Sequence, residues 1–317
     1  MNLLVTGGCG FIGSNFINSY FYNNKECNII NLDTMYYCAS HKNILEEITT
    51  DTRYTFVHCN LTSFDFVKHI LENHKITHII HFAAQSHVQN SFNDSLQYTI
   101  DNVLGTHTLL ECCKSVINNL KLIIHVSTDE VYGESLNDEI KHETSLLIPT
   151  NPYAATKSAA EMIAMSYIKS YNFPIIITRG NNVYGPNQYP EKLIPLFIQQ
   201  LKAGKPVTIQ GDGSAKRSFL HVKDTCSAFE LILHKGVIGE IYNIGTDLNE
   251  SEFTVKQIAK KLIKLIRGEN ASNLDHIMYI PDRPFNDSRY FISNDKLKKL
   301  GWEIKIKFDD GIKELIC

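Results

Sequence analysis

Two side chains four residues apart, Tyr153 and Lys157, stand at the beginning of the alanine-rich stretch 154–171, which has helical character. On a helix they share a face, so the lysine ammonium can lie near the phenol and favour its ionised form. A tyrosine with an unperturbed pKa of about 10 needs such help to act as a base near neutral pH. The pair predicts a tyrosine general base, although the same spacing also occurs by chance.

Three polar residues, Thr128, Asp129 and Glu130, follow closely after the apolar run 122–126, which is a strand candidate. The carboxyl end of a strand is where an open parallel sheet binds its ligands. Adjacent carboxyl groups in different surroundings can hold opposite protonation states at one pH, and so supply an acid and a base together. An acidic pair that caps the next turn is the alternative interpretation.

A glycine-rich loop follows the first apolar run, with Gly7, Gly10 and Gly13 spaced three residues apart. Such a loop permits a tight turn, a close backbone approach to a pyrophosphate and a helix N-terminus that favours anionic charge. Asp33 ends the second strand candidate, where a carboxylate accepts hydrogen bonds from an adenosine ribose and repels a 2′-phosphate. Because no arginine follows until Arg53, we expect NAD rather than NADP. A loop-capping role for Asp33 is the alternative.

Short apolar runs alternate with helix-length stretches through the first half of the chain. This alternation predicts a parallel sheet with crossover helices on both faces. The expected fold class is α/β: a Rossmann doubly wound parallel sheet with a smaller C-terminal substrate-binding α/β domain. We assign residues 1–178 to the NAD-binding domain and residues 179–317 to the substrate domain. The strand candidates are 2–6, 28–32, 55–58, 78–82, 122–126 and 174–178, and further helices are expected near 193–201 and 254–267.

Composition and charge are those of an ordinary globular protein: of 317 residues, 43% are hydrophobic and 21% charged, and the formal net charge is −3. This balance gives no basic surface for nucleic acid or an anionic membrane. No apolar run approaches the roughly 18 residues of a membrane-spanning helix. The N-terminal sequence lacks signal-peptide features, so we expect a cytoplasmic protein. The eight cysteines lack metal-binding spacing, so we expect reduced, mostly buried thiols and no metal.

The glycine-rich loop and the Tyr153–Lys157 pair together resemble those of the extended short-chain dehydrogenase/reductases that act on nucleotide sugars. Within that superfamily the triplet Thr128-Asp129-Glu130 is similar to that of the 4,6-dehydratases, whereas 4-epimerases and decarboxylases have small or hydroxyl residues there. The resemblance covers essentially the whole chain, and the other matching stretches are 83–88, 131–133, 180–188, 190–195, 242–245 and 283–287. Two of them, 180–188 and 283–287, look most like the UDP-glucose 4,6-dehydratase domain of rhamnose synthases.

The resemblance implies a role for each member of the central group. Tyr153, aided by Lys157, removes the proton of the sugar C4 hydroxyl while NAD⁺ accepts the C4 hydride, and Thr128 donates a hydrogen bond to the C4 oxygen. Glu130 then removes the C5 proton, protonated Asp129 protonates the departing C6 hydroxyl, and the hydride returns to C6. The expected reaction converts a nucleotide-diphosphate glucose into its 4-keto-6-deoxy form.

The resemblance also implies which residues bind the ligands. The implied cofactor-binding residues are Gly7, Gly10, Phe11, Ile12, Gly13, Asp33, Asn60, Leu61, Ala83, Ala84, Tyr153 and Lys157. The implied substrate-binding residues are Ser86, Thr128, Asn182, Lys192, Leu193, Arg217, Asn243, Arg283 and Asn286, with the two arginines as candidates for the diphosphate. One departure is Asn60, which stands where relatives usually have an aspartate. Its amide oxygen can still accept a hydrogen bond from the adenine amino group.

The sequence leaves the identity of the nucleotide open. UDP-glucose is the expected substrate and dTDP-glucose the nearest alternative, because one methyl group in an apolar pocket discriminates by only about 1–3 kcal/mol. A 4-epimerase and a catalytically silent NAD-binding scaffold are the other interpretations, and the intact acidic pair argues against both. Relatives usually pair through two helices per subunit, so we expect a homodimer formed by the helices around 95–116 and 154–171.

Overall fold

A parallel sheet of seven strands organises the structure, as the alternation of apolar runs predicted. The computed structural model describes residues 1–136, 139–247, 251–281 and 289–316. All six predicted strands form, with ends shifted by no more than two residues. The strands are β1 (Asn2–Thr6), β2 (Asn28–Asp33), β3 (Tyr54–His58), β4 (His78–His81), β5 (Leu122–Thr128), β6 (Ile175–Gly180), β7 (Asn182–Tyr184), β8 (Val207–Gln210), β9 (Lys216–His221), β10 (Ile241–Ile244), β11 (Glu252–Thr254) and β12 (Ile277–Ile280).

Helices fill the crossover connections and build much of the C-terminal part. The helices are α1 (Phe11–Asn23), α2 (Glu46–Thr49), α3 (Phe64–Asn73), α4 (Val88–Asn93), α5 (Ser95–Tyr98), α6 (Gly105–Cys113), α7 (Pro152–Tyr171), α8 (Leu193–Lys202), α9 (Val222–Lys235), α10 (Val255–Arg267), α11 (Asn273–His276), α12 (Asp295–Lys299) and α13 (Phe308–Ile316). A π-helical segment, Thr99–Leu104, joins α5 to α6. The helices expected near 193–201 and 254–267 are therefore confirmed as α8 and α10.

The order of the strands in the main sheet is β10-β6-β5-β4-β1-β2-β3, and every neighbouring pair is parallel. From β1 the chain moves outward through β2 and β3, and then in the other direction through β4, β5 and β6. The direction reverses between β1 and β4. Loops that leave such a reversal point diverge and open a crevice, which is where doubly wound sheets bind ligands. The Rossmann fold class is confirmed.

Successive side chains of a strand point to opposite faces of the sheet, and they belong to two apolar clusters, one on each face. Leu3 and Val5 of β1 contribute to one cluster, and Leu4 contributes to the other. The first cluster includes Phe16 of α1 and Phe229 of α9, and the second includes residues of α3, α6 and α7. Because both faces are covered, the buried strands are largely apolar rather than strictly alternating apolar and polar residues.

The remaining strands build a smaller part with its own apolar cluster. β11, β9 and β7 form a three-stranded sheet, and β12 pairs in parallel with β8. In the cluster, Phe197 of α8 lies with Ile258 and Leu262 of α10. The chain then returns to the main sheet, because β10 pairs with β6 and α9 packs against α1. A single division after residue 178 therefore does not follow the sheet, whose seventh strand lies beyond that residue.

Most cysteines in the described ranges are buried, as the sequence predicted. Seven cysteines are free thiols there, and six of them are buried. No helix in these ranges is both long enough and apolar enough to cross a bilayer.

An ion pair buried between α7 and β6 joins the helix that carries Tyr153 to the sheet. Glu161 Oε2 and Arg179 Nη2 lie 2.6 Å apart, and both side chains are almost wholly buried. Arg179 Nη1 also donates a hydrogen bond to the Tyr132 hydroxyl at 2.8 Å. A buried charge of this kind is strongly unfavourable once its partner is removed.

Replacing Arg179 alone should therefore destabilise the protein. We expect Arg179→Met to lower the free energy of unfolding by about 3–5 kcal/mol, because Glu161 is left as a buried, uncompensated charge. The double variant Glu161→Met/Arg179→Met is the matched control and should recover most of that loss. Urea unfolding followed by circular dichroism measures both. Equal destabilisation of the single and double variants would contradict this account.

Candidate active site

The glycine-rich loop packs so tightly, against itself and against the residues after β4, that a side chain on several of its glycines would clash. A Cβ on Gly7 would lie 2.7 Å from the Ala83 Cα, and Gly7 has a positive φ of 71°. A Cβ on Gly13 would lie 2.4 Å from the Gly7 carbonyl oxygen. Gly10 caps the N-terminus of α1 with extended backbone. Close packing and an N-terminal helix end together make a cradle that fits a pyrophosphate.

Beside this cradle lies a pocket lined by side chains from the ends of several strands. The sequence-predicted cofactor residues that line it are Gly10, Asp33, Asn60, Leu61, Ala83 and Ala84. The donor and acceptor groups, the glycine cradle and the pocket thus fit a dinucleotide along the crevice between β1 and β4. Phe11 and Ile12 lie in the first turn of α1, next to the cradle.

Asp33 both lines the pocket and braces the loops around it. Its Oδ2 accepts a hydrogen bond from the Cys9 backbone N–H at 2.9 Å, and its Oδ1 accepts one from the Met35 N–H at 2.7 Å. Asp33 therefore caps the neighbouring loops, as the alternative interpretation predicted, and also lines the pocket. Burial raises the pKa of the Asp33 carboxyl, and the two backbone hydrogen bonds act in the opposite direction.

Asn60 lines the pocket, but its amide oxygen is engaged elsewhere. That oxygen accepts hydrogen bonds from both the backbone N–H and the hydroxyl of Thr62, at 2.9 and 2.8 Å. An amide oxygen has two lone pairs, so both are in use. The expected hydrogen bond from the adenine amino group to this oxygen stays a prediction, and in this geometry it would compete with the two Thr62 donors.

Thr128, Asp129 and Glu130 lie at the carboxyl end of β5, as predicted. Thr128 is the last residue of the strand, and Asp129–Tyr132 forms a single 3₁₀ turn. The Thr128 hydroxyl accepts a hydrogen bond from the Glu130 N–H at 3.3 Å and donates one to Asp129 Oδ1 at 3.2 Å. The turn gives the two carboxyl groups different surroundings, because Asp129 is buried and Glu130 lies on the wall of a cleft.

Asp129 is held as a weak acid inside the protein. Burial, followed by the charge of Glu130, raises the pKa of its carboxyl to about 7. Hydrogen bonds from Asn181 and Thr128 and the charge of Arg217 oppose that rise. The Asn181 amide reaches Asp129 Oδ2 at 2.7 Å. Near neutral pH, this carboxyl is therefore able to keep or release a proton.

Asn151 connects Glu130 to the helix that carries the tyrosine. Its amide nitrogen donates to Glu130 Oε2 at 2.9 Å, and its amide oxygen caps α7 by accepting from the Ala154 N–H at 2.9 Å. Pro152 occupies the first helical position, where its fixed φ favours a helix start. One side chain thus fixes both the start of α7 and the position of Glu130.

Tyr153 and Lys157 share a face of α7, but their contacts differ from those that the spacing suggested. The Lys157 ammonium donates to the Val126 carbonyl at 2.6 Å rather than to the phenol. Burial lowers the pKa of Lys157 to about 8, and the charge of Glu161 opposes that shift. Burial and then the charge of Glu130 raise the pKa of Tyr153, while a hydrogen bond with Thr128 acts to lower it. The help predicted from Lys157 is therefore not a direct contact.

A cleft of about 390 Å³ lies beside Glu130. The predicted substrate residues that line it are Ser86, Asn182, Lys192, Leu193 and Arg217. Lys192 Nζ donates to the Ser86 carbonyl at 2.8 Å, which joins two sides of the cleft. The Arg217 guanidinium lies over the Tyr290 ring, 5.3 Å from its centroid. Two cations on one cleft suit an anionic ligand such as a diphosphate.

Asn243 does not line this cleft, so its predicted role in substrate binding gains no support from the structure. The side chain is wholly buried in β10, and its Oδ1 accepts a hydrogen bond from the Tyr132 hydroxyl at 2.8 Å. It belongs to the buried network around Arg179. Arg283 and Asn286, the other two predicted substrate residues of the C-terminal part, lie outside the described residues.

Two residues of the site carry contacts that the sequence analysis did not assign, Asn151 and Asn181. For Asn151 a local signal exists, because an asparagine directly before a proline is typical of a helix start. For Asn181 the only signal is a polar side chain just beyond the end of a buried strand.

The family model of GDP-mannose 4,6 dehydratase matches residues 4–315, nearly the whole chain. The chain belongs to the GDP-mannose 4,6-dehydratase family.

Curated relatives carry two different nucleotide names. A trifunctional UDP-glucose 4,6-dehydratase/UDP-4-keto-6-deoxy-D-glucose 3,5-epimerase/UDP-4-keto-L-rhamnose-reductase of Arabidopsis thaliana is 47% identical over 315 residues, which are 99% of this chain and 46% of that protein. The chain thus spans about half the length of the plant relatives. The human dTDP-D-glucose 4,6-dehydratase is 46% identical over 316 residues, which are 99% of this chain and 88% of that protein.

Solved structures include both dehydratases and epimerases. The dTDP-glucose 4,6-dehydratase of Streptomyces venezuelae, solved with NAD, has a TM-score of 0.92 at 36% identity and covers 100% of this chain and 96% of its own. The dTDP-glucose 4,6-dehydratase of Bacillus anthracis, also with NAD, has a TM-score of 0.90 at 38% identity, covering 100% and 95%. The UDP-glucose 4-epimerase of Thermotoga maritima has a TM-score of 0.89 at 28% identity, covering 100% and 97%.

The tight glycine cradle predicts the effect of a single methyl group on cofactor binding. We expect Gly13→Ala to weaken NAD binding by roughly tenfold to a hundredfold, equivalent to about 1–3 kcal/mol of overpacking, because its Cβ would meet the Gly7 carbonyl. Gly105→Ala, also in the first turn of a helix but with its nearest neighbour at 3.5 Å, is the matched control. A fluorescence titration with NAD measures both, and equal affinities in the two variants would contradict the cradle.

Proposed function

We propose that the protein is an NAD-dependent nucleotide-sugar 4,6-dehydratase, a hydro-lyase. The observation that carries this proposal is the pairing of buried Asp129, whose pKa is raised to about 7, with Glu130 on the wall of the cleft. A protonated acid beside a carboxylate is what an elimination of water needs, and a simple alcohol oxidation does not need it. The family membership and the similarity to 4,6-dehydratases support the same function.

NAD is the cofactor that this function requires. The glycine cradle, the position of Asp33 in the adjoining pocket and the NAD in two similar bacterial dehydratases all support it. When bound, NAD⁺ would supply the acceptor for the sugar C4 hydride and its return to C6. The cradle at the start of α1 would hold the pyrophosphate, and Asp33 would accept hydrogen bonds from the adenosine ribose.

Tyr153 is the base for the C4 hydroxyl proton. The first turn of α7 holds the phenol, and the hydrogen bond with Thr128 favours its ionised form. Lys157 lies one turn further along, where its hydrogen bond to the Val126 carbonyl fixes the ammonium. Because its pKa is lowered to about 8, Lys157 is able to pass a proton near neutral pH.

Glu130 and Asp129 then divide the elimination between them. Glu130, held by Asn151 on the wall of the cleft, removes the C5 proton, which the neighbouring C4 ketone has made acidic. Asp129 gives its proton to the C6 oxygen, which leaves as water. Epimerases share the fold, but inversion at C4 needs no acid and base at C5 and C6, so the buried acidic pair favours a dehydratase.

UDP-glucose is the substrate that we propose, with dTDP-glucose as the alternative. The plant relatives named for UDP-glucose are 47% identical to this chain, and the human relative named for dTDP-glucose is 46% identical. The sequence stretches 180–188 and 283–287 favour UDP-glucose. The product is then UDP-4-keto-6-deoxyglucose, a precursor of UDP-rhamnose, and the location expected from the sequence is the cytoplasm.

Incubation of the purified protein and NAD⁺ with UDP-glucose, and separately with dTDP-glucose, tests this proposal by mass spectrometry. We expect a product lighter by one water, formed faster from UDP-glucose. Glu130→Gln should slow water loss by about 10²–10⁴-fold, the usual contribution of a general base, while NADH still forms because oxidation at C4 does not use Glu130. The surface variant Glu139→Gln is the matched control.

Two other outcomes of that assay would contradict different parts of the proposed function. Faster loss of water from dTDP-glucose would overturn the nucleotide preference and keep the reaction. Conversion of UDP-glucose to its galactose epimer without loss of water would overturn the dehydratase function.

We also propose that the protein is a homodimer that pairs through the helices near residues 95–113 and α7. Leu96, Ile100 and Leu104 follow one another at four-residue spacing and are 77%, 42% and 49% exposed. Met162 of α7 is 48% exposed, and α7 packs beside this helical segment. A row of exposed large apolar side chains on adjacent helices favours burial against a second copy.

A charge placed in this row should separate the two copies. We expect the wild-type protein to have the mass of a dimer, and Ile100→Glu to have that of a monomer, because the charge would be buried without a partner. Leu146→Glu, at a loop residue that is 78% exposed and belongs to neither helix, is the control. Light scattering after size-exclusion chromatography measures all three. A monomeric wild type, or a dimeric Ile100→Glu variant, would contradict the proposed interface.

A further inference from the structure

We propose that Asn181 is a positioning residue that confines the acid proton of Asp129 to one oxygen, Oδ1. This inference rests on the proposed dehydratase function and adds a residue to it. It depends on three contacts at the carboxyl ends of β5, β6 and β10.

The amide of Asn181 can point only one way. Its oxygen accepts a hydrogen bond from the Thr246 backbone N–H at 3.1 Å, and its own backbone N–H donates to the Ile244 carbonyl at 3.1 Å. A flipped amide would turn its NH₂ group against the Thr246 N–H, donor against donor. Gly245 leaves the space for this arrangement, since a Cβ there would lie 3.0 Å from the Asn181 oxygen. The amide N–H groups therefore face Asp129.

The fixed amide decides which oxygen of Asp129 carries the proton. Asn181 Nδ2 lies 2.7 Å from Asp129 Oδ2 and can only donate, so Oδ2 must remain an acceptor. The proton of the acid form is then on Oδ1. Its neighbour there is the Thr128 hydroxyl, at 3.2 Å, which can either accept or donate.

The elimination step follows from this assignment. The Oδ1–H bond of Asp129 breaks as the proton passes to the C6 oxygen of the 4-keto sugar. The C6–O bond breaks with its electron pair on oxygen, and water leaves. Glu130 takes the C5 proton, and the electron pair of the C5–H bond forms the C5–C6 double bond. Asp129 is left as a carboxylate, and the Thr128 hydroxyl donates to the vacated Oδ1, while the bond from Asn181 to Oδ2 is unchanged.

The groups that face Asp129 from its neighbours are few among the described residues. Glu130 follows it in the same turn and raises its pKa, and Arg217 of β9 acts in the opposite direction. Tyr153 of α7 interacts with the Asp129 charge. The Asn181 hydrogen bond also lowers the pKa of Asp129, because it stabilises the carboxylate.

Two substitutions at Asn181 should move the pH dependence of water loss in opposite directions. Dehydration requires protonated Asp129, so its rate falls as pH rises through the pKa of that group. Asn181→Leu removes the donor, raises this pKa and should move the fall to higher pH by about one unit. Asn181→Asp adds a second carboxyl at Oδ2, so that Oδ1 is protonated only when the pair holds two protons. The fall should then move to lower pH by about one unit or more.

The experiment follows water loss from the nucleotide sugar across pH in the full-length holoenzyme, with NADH absorbance as a separate measure of C4 oxidation. Asn294→Leu is the matched control, because Asn294 is a buried amide that donates to the Gly245 carbonyl without contacting Asp129. Its pH profile should match that of the wild type. If Asn181→Leu does not fold, the nearly isosteric Asn181→Asp carries the test.

The outcomes separate this inference from the proposed function. Opposite shifts in the two variants support the positioning role. Reduced rates with unmoved pH profiles would show that Asn181 is only structural and would overturn the inference. A wild-type protein that releases no water from either sugar would overturn the proposed function instead.

Discussion

The alignment of β5 with β6 is the constraint on which the active site depends. The register pairs Thr128 with Gly180, so the next residues on each strand, Asp129 and Asn181, leave the sheet side by side and meet at 2.7 Å. β1 and β4 end at the same edge of the sheet, where Gly7 packs against Ala83. Because all strands of the main sheet are parallel, the proposed acid, base and tyrosine and the pocket that fits a dinucleotide lie at one edge of that sheet.

Burial shifts the pKa values of Asp129 and Lys157 at this edge of the sheet. Hydrogen bonds offset part of the free-energy cost of burying these two groups. Removal from water raises the pKa of Asp129 to about 7 and lowers that of Lys157 to about 8, so an acid and a base approach neutral pH from opposite sides. Asn181 supports the first group and the Val126 carbonyl supports the second. The same low exposure makes Glu161 and Arg179 depend on each other, because either charge would be buried without compensation if its partner were removed.

The strands and the position of the acidic triplet could be predicted because they depend on local patterns. Short apolar runs bounded by turns fix the strands, and a parallel sheet then determines where their ends lie. The environment of Asn243 could not be predicted from local patterns, because its side chain is directed into the core by the pairing of β10 with β6. The Asn60 oxygen accepts hydrogen bonds from Thr62, a local contact that the sequence analysis did not predict. The role of Asn181 depends on contacts with Asp129 and Thr246, more than fifty residues away along the chain.

The position of solvent hydrogen in the product tests the central claim most directly, that a buried acid and its neighbouring base perform an internal elimination. In heavy water, Glu130 exchanges its proton with solvent, whereas the hydrogen delivered to C6 comes from C4 of the same sugar. We expect a 4-keto-6-deoxy product with one deuterium at C5 and none at C6, measured by NMR. Deuterium at C6, or a product without deuterium at C5, would contradict it.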